Sequence, residues 1–77
     1  MTDKNLEYYL SLPYQIVLTP DEDGFWFAEI PILRGCMTQG SSREEALRMI
    51  DEAKALWLET SLERGHAIPE PEPMRQS

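Results

Sequence analysis

Few residues of this 77-residue chain could do chemistry, and each has a plainer reading. Asp21-Glu22-Asp23-Gly24 is the only dense acidic cluster. A calcium loop needs oxygen ligands at set places around a glycine and a bidentate glutamate to close it. With Gly24 as that glycine, Thr19 opens the loop and Ile30 closes it, and isoleucine cannot coordinate. The cluster is therefore expected to be a solvated hairpin turn. One cysteine and one histidine exclude the common zinc sets within one chain. Cys36 reads as a small buried hydrophobe rather than a nucleophile. His66 stands just past a helix end, where a positive imidazole suits the helix dipole. A general base also needs a nucleophile and an orienting group within reach, and the sequence names neither. Trp26 and Trp57 read as core or interface anchors. The expectation is a protein with no catalytic residue, no metal and no cofactor.

Those residues must be positioned by elements, and one long helix dominates. Ser42 followed by Glu45 has capping-box spacing, Ser41 with Glu44 offers the same box one residue earlier, and Gly65 closes the run. Ala46, Ile50, Ala53 and Trp57 share one face of that helix. Met49 and Leu56 widen the apolar arc on one side; Leu47, Leu58 and Leu62 widen it on the other. A single sheet covers a stripe only a little over about 100° wide. The surplus predicts a second chain on a helix shoulder, with Met49, Leu56, Leu58 and Leu62 as the interface.

Before the helix, Leu6–Leu12 predicts a short helix or lead-in stopped by Pro13. Tyr14–Thr19 alternates as a half-buried strand. Pro20–Gly24 is a turn, and Phe25–Ile30 returns as a second strand. Phe25 and Phe27 share one face and Trp26, Ala28 and Ile30 the other, which predicts cover on both faces. Pro31–Gly35 turns the chain again, and Cys36–Gln39 is a third strand ending at Gly40. Prolines 69, 71 and 73 alternate with glutamates, so 69–77 reads as an extended tail after a domain over 1–68, with Ile68 able to add a brief edge pairing. The predicted fold is α+β in two layers, a three-stranded antiparallel meander packed on one long helix.

Size and charge bound the function. The chain allows one domain, and one so small buries only about 60% of its unfolded surface. With no internal disulfide or metal available, a homo-oligomer (dimer or tetramer) is the expected remedy. Fourteen acidic against seven basic residues set the net charge at −7. That opposes direct nucleic-acid binding, which needs a basic face, and suits a basic partner or solubility. The N-terminus lacks the order of a signal peptide, no apolar run approaches membrane-span length, and an unpaired thiol fits a reducing compartment. A cytoplasmic protein is expected.

The residues also carry a resemblance. Phe27-Ala28-Glu29-Ile30-Pro31, Gly35-Cys36-Met37-Thr38-Gln39-Gly40 and Glu44-Glu45-Ala46-Leu47, with the acidic turn at 21–24, resemble the HicB family of antitoxins. Leu56-Trp57-Leu58 to Gly65 and Ile68-Pro69-Glu70-Pro71 are similar to short HicB-like proteins, the form without the C-terminal DNA-binding module of full-length members. The order of these pieces is specific; each alone is weak. The chain departs from the family pattern at Ile32 and Arg34, both in a loop. The resemblance implies a partial ribonuclease-H-like fold without catalytic residues. It further implies binding to HicA, a small basic toxin that cleaves messenger RNA, and self-association. On that reading Asp21, Glu22, Asp23, Trp26, Glu52 and Glu59 are the expected partner-binding residues. The rival reading is a homo-oligomeric module with no toxin partner. A third, an enzyme, would need a polar pocket holding His66 or Cys36.

Overall fold

A computed structural model of the protein describes residues 4–71. The elements are α1 (Leu6–Leu10), β1 (Val17–Pro20), β2 (Trp26–Glu29), β3 (Met37–Gly40) and α2 (Arg43–Arg64). The strands form one antiparallel sheet in the order β1-β2-β3, and α2 packs across one face. This is the α+β meander-and-helix fold expected from the alternation and helical spacing. Residues 72–77 of the predicted tail lie outside the described residues.

The ends of α2 follow from its caps. The Ser42 hydroxyl accepts from the Glu45 N–H at 3.1 Å. The Glu45 carboxylate does not return to Ser42, as the expected box requires. It accepts from the Ser41 N–H at 2.6 Å and the Ser41 hydroxyl at 2.7 Å. Two serines thus share the box that the sequence offered as alternatives. The backbone bond to Ser41, and then the hydroxyl bond, hold the Glu45 carboxyl below its usual range. At the other end Gly65 is left-handed, with φ of 68°, and the His66 N–H reaches the Ser61 carbonyl at 2.9 Å.

The register sorts the strands into two faces. Leu18, Ala28 and Thr38 form one cross-strand row and Pro20, Trp26 and Gly40 the next, both toward α2. Ala28, Ile30, Leu33, Ala46, Ile50 and Leu58 are the most deeply buried side chains. Val17, Glu29 and Met37 form a row on the opposite face, next to Thr19, Phe27 and Gln39. Phe25, Phe27 and Met37 are exposed there, so the cover expected on both faces is present on one.

Two boundaries differ from expectation. The β1 ladder starts at Val17 rather than Tyr14, because Tyr14 turns inward. Its N–H bonds the Leu12 carbonyl at 2.9 Å, and its hydroxyl donates to the Pro69 carbonyl at 2.7 Å. Ile68 adds no strand; it packs against the core. Pro69 and Glu70, assigned to the tail, are bonded to the body.

Gly40 is the tightest point. A Cβ there would stand 2.5 Å from the Ala46 nitrogen and 2.8 Å from its Cα, both backbone atoms. Gly40→Ala must push α2 off β3 and is expected to cost about 1–3 kcal/mol. A urea titration checks this: the midpoint should fall with an unchanged slope, and an unmoved midpoint refutes the close-approach account.

Candidate functional site

The hairpin turn takes its shape from its own acids. The Asp21 N–H bonds the Phe25 carbonyl at 2.7 Å, and the Asp21 carboxylate accepts from the Glu22 N–H at 2.6 Å. Gly24, with φ of 92°, supplies the left-handed step. Asp21, Glu22 and Asp23 are exposed. Among the described residues no group of acids, cysteine or histidine is arranged to hold a metal ion. The turn presents exposed carboxylates at one end of the sheet.

The expected partner-binding set is not one surface. Glu52 and Glu59 are exposed on the outer side of α2, across the two layers from the open sheet face. Glu52 already faces Arg48 at 3.6 Å, an exposed pair of the kind worth about 0–1 kcal/mol. Trp26 is turned inward, packed against the core with Arg43 over its ring at 6.0 Å. The pleat sends it to the helix side, where it is half-buried and apart from the carboxylates on the outer side of α2.

The expected oligomer residues divide as well. Leu58 is fully buried within the chain and cannot meet another. It belongs to the chain's own core, and α1 also packs on α2. Leu56 is 65% exposed, Leu62 is at the exposed boundary, and Met49 is half-buried. The most exposed of them, Leu56, borders a hollow of about 440 Å³ between α2 and the 35–37 segment, with Cys36, Met37, Trp57, Arg64 and His66 in its walls. Trp57 fixes one wall by donating from Nε1 to the Arg34 carbonyl at 2.9 Å.

Cys36 and His66 are thus brought to one pocket, which the sequence could not foresee. Burial pushes the Cys36 thiol up, away from the thiolate that a nucleophile needs. Among the described residues no hydrogen bond joins Cys36, Ser61 and His66 side chains to one another.

A clamp at the opposite end escaped sequence reasoning. The Glu70 carboxylate accepts from the Lys4 ammonium at 3.1 Å and from the Tyr8 hydroxyl at 3.0 Å. Together with Tyr14 and Pro69 it ties the chain after α2 to the segment around α1. The Lys4 and Tyr8 hydrogen bonds hold the Glu70 carboxyl below its usual range, and the bond to Glu70 raises Lys4. Burial, followed by the Glu70 charge, pushes Tyr14 up to about 12. A depressed carboxylate favours the fold above the unfolded value of about 4.3 and loses that contribution as pH falls through its folded value. A raised tyrosine favours the fold below about 10 and loses that contribution as pH rises toward its folded value. Glu70→Gln should therefore flatten the acid limb of stability against pH below about 4, and should weaken the alkaline limb only by the part of the Tyr14 shift that the Glu70 charge supplies, leaving the larger part set by burial. Urea midpoints across a pH series check this; a variant whose acid limb parallels the parent's would show the clamp to be inert.

Comparison with known proteins gives these surfaces a context. The family model described as "HicB_like antitoxin of bacterial toxin-antitoxin system" matches residues 14–77. The chain is 38% identical over 58 residues to a UPF0150 protein of Thermoplasma acidophilum, covering 75% of this chain and 84% of that one. It is 43% identical over 56 residues to a UPF0150 protein of Synechocystis, covering 73% and 77%. Antitoxin HicB 1 of Photorhabdus laumondii is 36% identical over 66 residues, which cover 86% of this chain and 43% of that protein.

Proposed function

The chain belongs to the HicB-like antitoxin family of bacterial toxin–antitoxin systems, and from that premise we propose that it binds and occludes a small basic messenger-RNA-cleaving toxin of the HicA type. The observation that carries the reading is the charge: a net −7, with exposed carboxylates at Asp21, Glu22 and Asp23 on a formed turn. An acidic body speeds encounter with a basic ribonuclease and repels the RNA that the ribonuclease would cut. The action is steric and electrostatic, with no reaction of its own; Cys36, with its thiol pushed up by burial, gives no activated nucleophile. Among the described residues no helix is long and apolar enough to cross a membrane, and a cytoplasmic place of action fits a messenger-RNA-cleaving partner.

A second reading is favoured by Leu56. Its exposure beside the hollow at Met37 and Trp57 suits contact with another copy of the chain, with Met49 and Leu62 on the shoulders of α2. Self-association of this kind is compatible with toxin binding or could stand alone.

Co-expression with a neighbouring small basic open reading frame of the HicA type separates the two. The wild type should restore growth, and Cys36→Ala and His66→Ala should restore it equally. No rescue by the wild type discards the antitoxin reading. Replacing Asp21, Glu22 and Asp23 together by lysine should slow association about ten-fold or more at low salt, and the deficit should shrink as salt rises. Stopped-flow mixing measures it, and a rate independent of these charges would remove the turn from the encounter.

A further inference from the structure

The sheet face opposite α2 carries exposed apolar side chains that the core does not absorb, and of these only Met37 also borders the hollow beside Leu56. Phe25 is 43% exposed, Phe27 48% and Met37 51%. The register sets Phe27 and Met37 on one side of the sheet, and alternation along the chain puts Phe25 with Phe27. Phe27 lies between Thr19 and Gln39, and Met37 lies across from Glu29. Beside Phe27 a hollow of about 280 Å³ is walled by Thr19, Pro20, Asp21 and Gln39. A shallow dent beside an aromatic is a usual seat for an anchoring side chain. Scattered single apolar residues on a surface need no account, but a gathered group with a polar rim marks an interaction site.

The charges of this face select the occupant. Residues 14–20, 25–30 and 36–40 contain no lysine or arginine. The charged groups placed with the aromatics are Glu29 in the sheet and Asp21 at the rim. Exposed aromatics on an antiparallel sheet can stack nucleic-acid bases, but that platform works beside cations that meet the phosphates. Here phosphates would meet carboxylates. Two copies face to face would likewise set Glu29 and Asp21 against their own kind with no cation to answer them. A basic protein surface satisfies both parts of the face, with apolar side chains over Phe27 and Met37 and lysine or arginine at the rim.

We infer that this open sheet face, centred on Phe27 and Met37 and rimmed by Glu29 and Asp21, is the surface that docks a basic protein partner. The inference rests on the antitoxin reading and adds the location to it. The outer face of α2, with Glu52 and Glu59, is then not the principal contact.

The test uses the full chain and, as probe, a catalytically inactivated HicA-type toxin from the co-expression experiment. Affinity is measured by calorimetry, and the state of the free chain by sedimentation. Phe27→Lys and, separately, Met37→Lys should each weaken binding about thirty-fold or more. Both sites are exposed, so circular dichroism and the sedimentation of the free chain should match the parent. Glu29→Lys should also weaken binding and lower its dependence on salt. Glu63→Lys, on α2, should change affinity by less than about three-fold. If both lysine variants fold and bind like the parent, the location is wrong while the antitoxin reading stands. If they convert a free oligomer to monomers, the face belongs to a second copy and the inference fails. If Glu63→Lys weakens binding as much, bulk charge and not this face is responsible. A parent chain that binds no such toxin removes the antitoxin reading and this inference with it.

Discussion

The approach of α2 to β3 at Gly40 governs the rest of the molecule. With no Cβ at Gly40, the first turn of the helix comes within van der Waals reach of the strand backbone. Ala46 and Ala28 are fully buried where helix and sheet meet. Small side chains there bring the two layers close, and Ile30, Leu33, Ile50 and Leu58 fill the space farther along. The caps serve that seating. Ser42 and the Glu45–Ser41 bonds fix where the helix begins, directly after the glycine. Once α2 is spent on one face, the described chain has no second long element for the other. The exposure of Phe25, Phe27 and Met37 is thus a consequence of topology and not of loose packing.

How much of this was legible in the sequence depends on the range of the interaction. Local signals read well. The turn at 20–24, the cap at Ser42, the left-handed Gly65 and the alternation of β2 are decided by neighbours within a few residues, and the structure has them. Signals that depend on distant partners did not read. Tyr14 looked like a strand residue because its alternation is sound. What removes it is a carbonyl 55 positions away, at Pro69. Glu70 reads as part of an extended tail because Lys4 and Tyr8 are far from it in the chain.

The helix shoulders show the same limit in three dimensions. An arc wider than one sheet can cover predicts a second chain on a shoulder. Part of the surplus is met within the chain, because α1 also packs on α2 and the Pro31–Gly35 loop is pinned by Trp57. Leu58 therefore disappears into the core and Leu56 does not. Periodicity gives the width of an apolar arc but not the number of elements that will share it. The two-faced apolar pattern of Phe25–Ile30 predicts cover on both faces, and within the chain only the face toward α2 has it.

Charge separates the two apolar surfaces that remain. The hollow beside Leu56 has Arg64 and His66 in its walls, whereas the open sheet face has Glu29 and Asp21 and no cation among its strands. An acidic chain can meet another copy of itself where a basic group softens the repulsion, which is the side of the hollow. It meets a basic partner best where its own cations are absent, which is the sheet. The two surfaces therefore differ in the partners they would favour, because like charges brought together across a closed interface are penalised more than bulk net charge suggests. A small domain with one long helix has only two broad sides, and here they differ in electrostatic character while meeting at Met37, which borders both.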